Sequence, residues 1–167
     1  MTFSAGNNLS ASELNNIISA DDRAHLAALT SLGYVGWNIQ TSEIAATTTE
    51  VCHSSLMVTA TLVAGRRYRA TFSGCEKGTV VTDSSHVRMR YAAGSTVDAS
   101  GTAFRNGGSN IQVANTLQPL SLTGIFTAPA SGQYTVAVST VRYGGTGTVY
   151  LTFVAGVLDA ELLLEGM

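Results

Sequence analysis

From about residue 40 onward, apolar residues recur at every second position, the period of pleated strands with one face buried. Leu56, Val58, Ala60 and Leu62 alternate with Ser55, Met57, Thr59 and Thr61. Tyr68, Ala70 and Phe72 alternate with Arg67, Arg69 and Thr71, and Val87, Met89 and Tyr91 with Arg88 and Arg90. Leu120, Leu122 and Phe126 mark another strand, then Tyr134, Val136 and Val138, then Val149, Leu151 and Phe153. At the end, Leu158, Ala160, Leu162 and Leu164 alternate with Asp159, Glu161 and Glu165. About eight short strands at this spacing predict a mainly β fold, an antiparallel sandwich or jelly roll.

Turn residues separate the strands. Ala128-Pro129-Ala130-Ser131-Gly132 predicts a turn opened by proline. Gly144-Gly145-Thr146-Gly147 predicts a hairpin connection. Residues 93–110 are polar and glycine-rich and read as a long loop holding at most one short strand. Before residue 40 the period changes. Ser10-Ala11-Ser12-Glu13 has the spacing of a capping box, and Leu14, Ile17 and Ile18 follow at helical spacing. The expected organisation is therefore an N-terminal helical attachment segment, 1–40, followed by a sandwich domain, 41–167.

Of the 167 residues, 45% are apolar and only 12% are charged. The polar faces must then be covered by Ser, Thr, Asn and Gly; Thr alone occurs about twenty times and suits the solvent side of a sheet. The net charge of -2 and a single lysine, Lys77, leave no electrostatic footprint for nucleic acid. No apolar run reaches membrane-spanning length, and the first residues lack the basic start and apolar stretch of a secretory signal. Synthesis and folding in a cytoplasm follow as the expectation, and there Cys52 and Cys75 are read as free thiols rather than a disulfide.

Signatures of common enzymes are missing, from the nucleophile elbow and P-loop to the HExxH zinc motif. Cys52 and His53 are neighbours on a strand, so their side chains point to opposite faces and form no nucleophile pair. Asp83-Ser84-Ser85-His86 holds the letters of a triad, but triads need convergent geometry, and an ordinary loop-to-strand entry accounts for the residues. Asp98 lies in a polar loop where one carboxylate is too few for calcium. No catalytic residue, metal site or cofactor is expected. Arg67 and Arg69 project from one strand, Arg88 and Arg90 from another. If those strands are neighbours, four guanidinium groups form a contact patch for an acidic partner or anionic glycan. Otherwise they cover an exposed sheet and pair with Glu43, Glu50 or Glu76.

The stretch Phe3-Ser4-Ala5-Gly6-Asn7-Asn8-Leu9-Ser10-Ala11-Ser12-Glu13-Leu14-Asn15 resembles the opening of tail and other virion proteins of phages infecting actinobacteria. Leu62 to Arg69 (LVAGRRYR), Gly124 to Tyr134 (GIFTAPASGQY) and Ala160 to Glu165 (AELLLE) are similar to later strands of the same group, in the same order. Phe126 to Tyr134 also resembles the tumour-necrosis-factor and C1q jelly rolls. This resemblance implies a small virion structural protein, of the head-decoration, head-fibre or short minor-tail type, displayed as a homotrimer.

Its partners would be other virion proteins, with neither nucleic acid nor membrane, and its place would be the virion after synthesis in the host bacterium. Phe3, Leu9, Leu14, Ile17 and Ile18 are the expected anchor or trimer contact; burying each is worth roughly 1.5–3 kcal/mol before association costs. A lid over its own sandwich is the other reading of that helix. The alternative function is a glycan-binding jelly roll of a tail fibre, with Trp37, Tyr91, Tyr143 and Tyr150 as the available stacking residues.

Overall fold

A computed structural model describes residues 33–153 and 159–167. The helix expected from Ser10 through Ile18 and the anchor residues Phe3, Leu9, Leu14, Ile17 and Ile18 lie outside them. The described chain forms ten strands: β1 (Tyr34–Gln40), β2 (Ile44–Ala45), β3 (Val51–Leu62), β4 (Arg67–Gly78), β5 (Ser84–Ala93), β6 (Thr102–Asn110), β7 (Gln118–Thr127), β8 (Gly132–Gly144), β9 (Val149–Thr152) and β10 (Ala160–Gly166). All pairings are antiparallel.

Two sheets result. The six-stranded sheet runs β1-β10-β4-β9-β2, with β7 on the other side of β4; the four-stranded sheet runs β3-β8-β5-β6. Setting aside the short β2 and β9, the long strands follow the order first–last–third–sixth in one sheet and second–seventh–fourth–fifth in the other. That interleaving is a jelly roll, in which nearly every connection crosses from one sheet to the other.

The inward half of each alternating pattern meets in one core. Leu56, Leu62, Phe72, Val87, Met89, Val136, Leu162 and Leu164 are fully buried there. Phe126 anchors an aromatic group at one end, with Tyr91 stacked 4.5 Å away and Phe104 tilted at 4.9 Å. Such offset and tilted contacts add to the area term. Tyr68 belongs to the same group, and its hydroxyl accepts a hydrogen bond from the Val63 N–H at 2.8 Å.

Three expectations need correction. Tyr34–Gln40 was placed with the N-terminal segment, but it is a sheet strand, β1, paired with β10. The stretch 93–110 is expected as a long loop with one short strand at most, whereas Thr102–Asn110 is a nine-residue strand paired with β5. It is an edge strand with an outer face of Asn106, Gly108 and Asn110, so it lacks the apolar alternation that reveals a buried strand. Gly144 to Gly147 is no hairpin, because β8 and β9 belong to different sheets. Its glycines are demanded instead by Asp83: a Cβ at Gly145 or Gly147 would overlap the Asp83 carboxylate, and Gly145 has a left-handed φ of 89°.

Candidate functional site

The groups that could carry chemistry are held in structural bonds. Asp83 is fully buried, its carboxylate accepting from the N–H groups of Val80 (3.2 Å) and Gly147 (2.9 Å). It ties the loop before β5 to the loop before β9. His53 is buried, its Nε2 2.7 Å from the Thr140 hydroxyl, and burial lowers its pKa to about 4, so the ring is neutral at physiological pH. Burial, reinforced by the Glu50 charge, pushes the Cys52 thiol up to about 11, the reverse of what a nucleophile requires. Cys52 and Cys75 are both free, on different sheets. Asp98 closes an Asx turn on Ser100, accepting from its N–H at 2.8 Å and its hydroxyl at 2.6 Å. Among the described residues no three His, Cys, Asp or Glu side chains converge as metal ligands.

Glu76 is a second carboxylate in the interior. It projects inward from β4 and is 1% exposed, accepting hydrogen bonds from Ser85 on β5 and Ser109 on β6. It thereby links the two sheets. Burial raises its carboxyl pKa, and the two serine bonds offset only part of that. A group with a raised folded pKa binds protons more tightly when folded. Its contribution is therefore most favourable in acid and is lost as pH rises from the ordinary carboxylate range through the raised value. Glu76→Gln is expected to unfold about 1 kcal/mol harder than wild type at pH 7 and to match it near pH 4. Urea melts at the two pH values check this; a glutamine variant weaker at pH 7 than at pH 4, relative to wild type, contradicts it.

The four arginines do not share a face. Arg67 and Arg69 are on β4 in the six-stranded sheet, Arg88 and Arg90 on β5 in the other, so the pairs point outward on opposite sides of the sandwich. Arg69 pairs with Glu165 at 2.8 Å. Arg88 and Arg90 both bind Glu50, which stands just before β3. Arg90 reaches it through Nε at 2.6 Å and a second nitrogen at 3.0 Å, and the Ser139 hydroxyl adds a bond of 2.6 Å. Burial opposes ionisation of Glu50, but the bonds from Arg90 and Ser139 and the two arginine charges outweigh it, holding the pKa down to about 2.

This cluster borders an open trough of about 520 Å³ over β5 and β6. Its lining includes Ser84, His86, Arg88, Asn106, Asn110 and Tyr143. The Tyr143 ring stacks on the His86 ring with centroids 4.4 Å apart and planes 12° from parallel. Tyr143 remains 73% exposed, so its other face is open. Arg88 donates to His86 Nδ1 at 3.2 Å, which makes Nδ1 the acceptor and leaves the ring N–H at Nε2. Gly108 lies opposite His86 across the β5–β6 ladder, and its missing side chain leaves the floor of the trough open between Asn106 and Asn110.

The stacking residues named from sequence are scattered. Tyr91 is packed into the core group, Trp37 stands 50% exposed on β1, and Tyr150 lies under the Lys77 ammonium at 5.4 Å on β9. Trp37 borders a separate hollow with Asn38 and Ile39 on β1, and Tyr143 joins the trough over β5 and β6. Sequence reasoning had no signal for His86 as its partner, because that contact depends on the register of β5 against β8.

No family model and no curated protein matches the chain. Solved structures overlap it loosely. The C-terminal domain of EclA, a sugar-binding protein, aligns at 19% identity and a TM-score of 0.43, covering 75% of this chain and 78% of that one. Infectious bursal disease virus, Gt strain, aligns at 9% and 0.40, with 80% of this chain and 37% of that one. The carbohydrate-binding and catalytic modules of Clostridium thermocellum xylanase 10B align at 11% and 0.38, with 82% and 27% covered. Overlaps this loose carry no argument about what the present chain does.

Proposed function

We propose that this chain is a non-enzymatic structural protein of a phage virion, a surface-displayed jelly roll anchored through its N-terminal segment and assembled as a homotrimer. One observation carries the non-enzymatic part. Three of the described carboxylates are spent on the fold, Asp83 on two loops, Glu76 on two sheets and Glu50 on two arginines, and burial holds the Cys52 thiol protonated. The resemblance of the opening residues and of the later strands to actinobacteriophage virion proteins supports the rest. The apolar residues Phe3, Leu9, Leu14, Ile17 and Ile18 supply the anchor, and threefold repetition of such contacts multiplies a modest affinity by avidity.

The test is deletion of residues 1–30. The truncated protein is expected to stay soluble, to keep its β-sheet circular dichroism and to be absent from purified particles assembled in its presence. Normal incorporation of the truncation overturns the anchor. Immunogold labelling of particles separates positions: label over the whole head marks a decoration protein, and label at one vertex marks a tail protein. Sedimentation equilibrium of the full chain reads the oligomer.

A further inference from the structure

We infer that the trough beside Tyr143 is a carbohydrate-binding site, with a pyranose ring stacked on the open face of Tyr143. This stands apart from the virion assignment and survives or fails without it. The chemistry of the surface points to a sugar. A pyranose offers a flat array of C–H bonds on one side and hydroxyls around its rim. Tyr143 supplies a flat, exposed π face, and its stacking on His86 fixes the ring plane before a ligand arrives.

Around that platform stand groups suited to hydroxyls. Asn106 and Asn110 each carry an amide that both donates and accepts, on the outer face of β6 two positions either side of Gly108. The His86 Nε2–H is left as a donor, because Nδ1 is occupied by Arg88. Ser84 adds a hydroxyl across the ladder from Asn110. Gly108 is irreplaceable in this layout, since a Cβ there would run into the Ser85 carbonyl oxygen. The trough therefore stays open by construction.

Other ligands fit less well. The lining contains no aliphatic side chain and Tyr143 is its one large apolar group, which disfavours a protein or peptide anchored by several hydrophobic side chains. Arg88 already gives one nitrogen to Glu50 and another to His86, so no free guanidinium fork waits for a phosphate. The volume lies within the range of small-ligand clefts and accommodates a short oligosaccharide, but the site is shallow. A single site should then bind with a Kd of about 0.1–1 mM, and display in many copies would raise the effective affinity.

The experiment uses the full chain, isotope-labelled, titrated with neutral oligosaccharides (gluco-, manno-, galacto- and arabino-) and in a separate arm with uronic-acid oligosaccharides. The expected result is saturable amide shifts confined to residues 84–88, 106–110 and 143 for at least one of them. The arm that responds identifies a neutral or an acidic glycan. Tyr143→Ala should weaken that binding at least tenfold with the thermal midpoint unchanged, and Asn106→Ala severalfold. Trp37→Ala, on the opposite sheet, should leave it intact. Shifts that map elsewhere, binding retained by Tyr143→Ala, or no saturable response to any probe overturns the inference.

Discussion

Replacing Glu50 by alanine is expected to lower the unfolding free energy at pH 7 by roughly 3 kcal/mol. The side chain is 12% exposed, and the two guanidinium groups it holds are 13% and 25% exposed. Removing the carboxylate leaves two like charges side by side with their solvation already reduced. Ser139, itself fully buried, loses its strong acceptor. The same cluster sets an acid limb. With its folded pKa depressed to about 2 from the ordinary 4.5, Glu50 contributes stability that is complete above the ordinary value. That contribution is lost as pH falls through the interval between the two values, and after solvent screening it amounts to roughly 2–3 kcal/mol. Urea melts of wild type and Glu50→Ala from pH 7 to pH 2 should therefore converge. A mutant that costs less than about 1 kcal/mol at neutral pH, or curves that stay parallel in acid, would show that the cluster is worth no more than a surface ion pair. Because Arg88 also holds His86, the damage should reach the trough, in the shifts of Tyr143.

Asp83→Ala should cost about as much, roughly 2–4 kcal/mol, by a different route. The carboxylate is fully buried and satisfies the N–H groups of Val80 and Gly147, so alanine leaves both without an acceptor and frees the two loops from each other. Thr82, next in line, has a left-handed φ of 74°, unfavourable for a β-branched residue and sustained by its fixed neighbours. Gly147→Ala should be nearly as harmful alone, because its Cβ meets the same carboxylate. In the Asp83→Ala background part of that collision is gone. The double mutant should then lose measurably less than the two singles added, by 1 kcal/mol or more in a thermodynamic cycle. Strict additivity would mean that the glycines are required by something other than Asp83.

The residues that face inward were legible because burial on one side of a pleat imposes period two. Leu56, Phe72, Met89, Val136 and Leu164 are all where the alternation places them. The pattern failed where its cause is absent. β6 is an edge strand whose outer face is amides and glycine, so it reads as loop although it is fully paired. Turn chemistry also misled, because a glycine-rich connection looks the same whether the next strand is a neighbour or lies in the other sheet. Glu50 was legible as one of three possible partners for the arginines, but not as the single acceptor shared by two of them. Tyr143 was visible as a stacking residue, whereas its platform on His86 depends on registers that no local pattern carries.

The pairing of β1 with β10 bears on how the protein is made. Tyr34–Gln40 leaves the ribosome before the other described strands, and its ladder partner among them, Ala160–Gly166, leaves after all the rest. Until then β1 has no ladder, and β4 has an open edge where β10 will insert between them. The six-stranded sheet thus closes after translation of its final strand, through contacts of very long sequence separation, which are slow to form. The four-stranded sheet needs nothing beyond β8 and has the shorter wait. Premature chains would carry an unpaired, apolar-faced β4 edge, open to strand addition from other chains during synthesis.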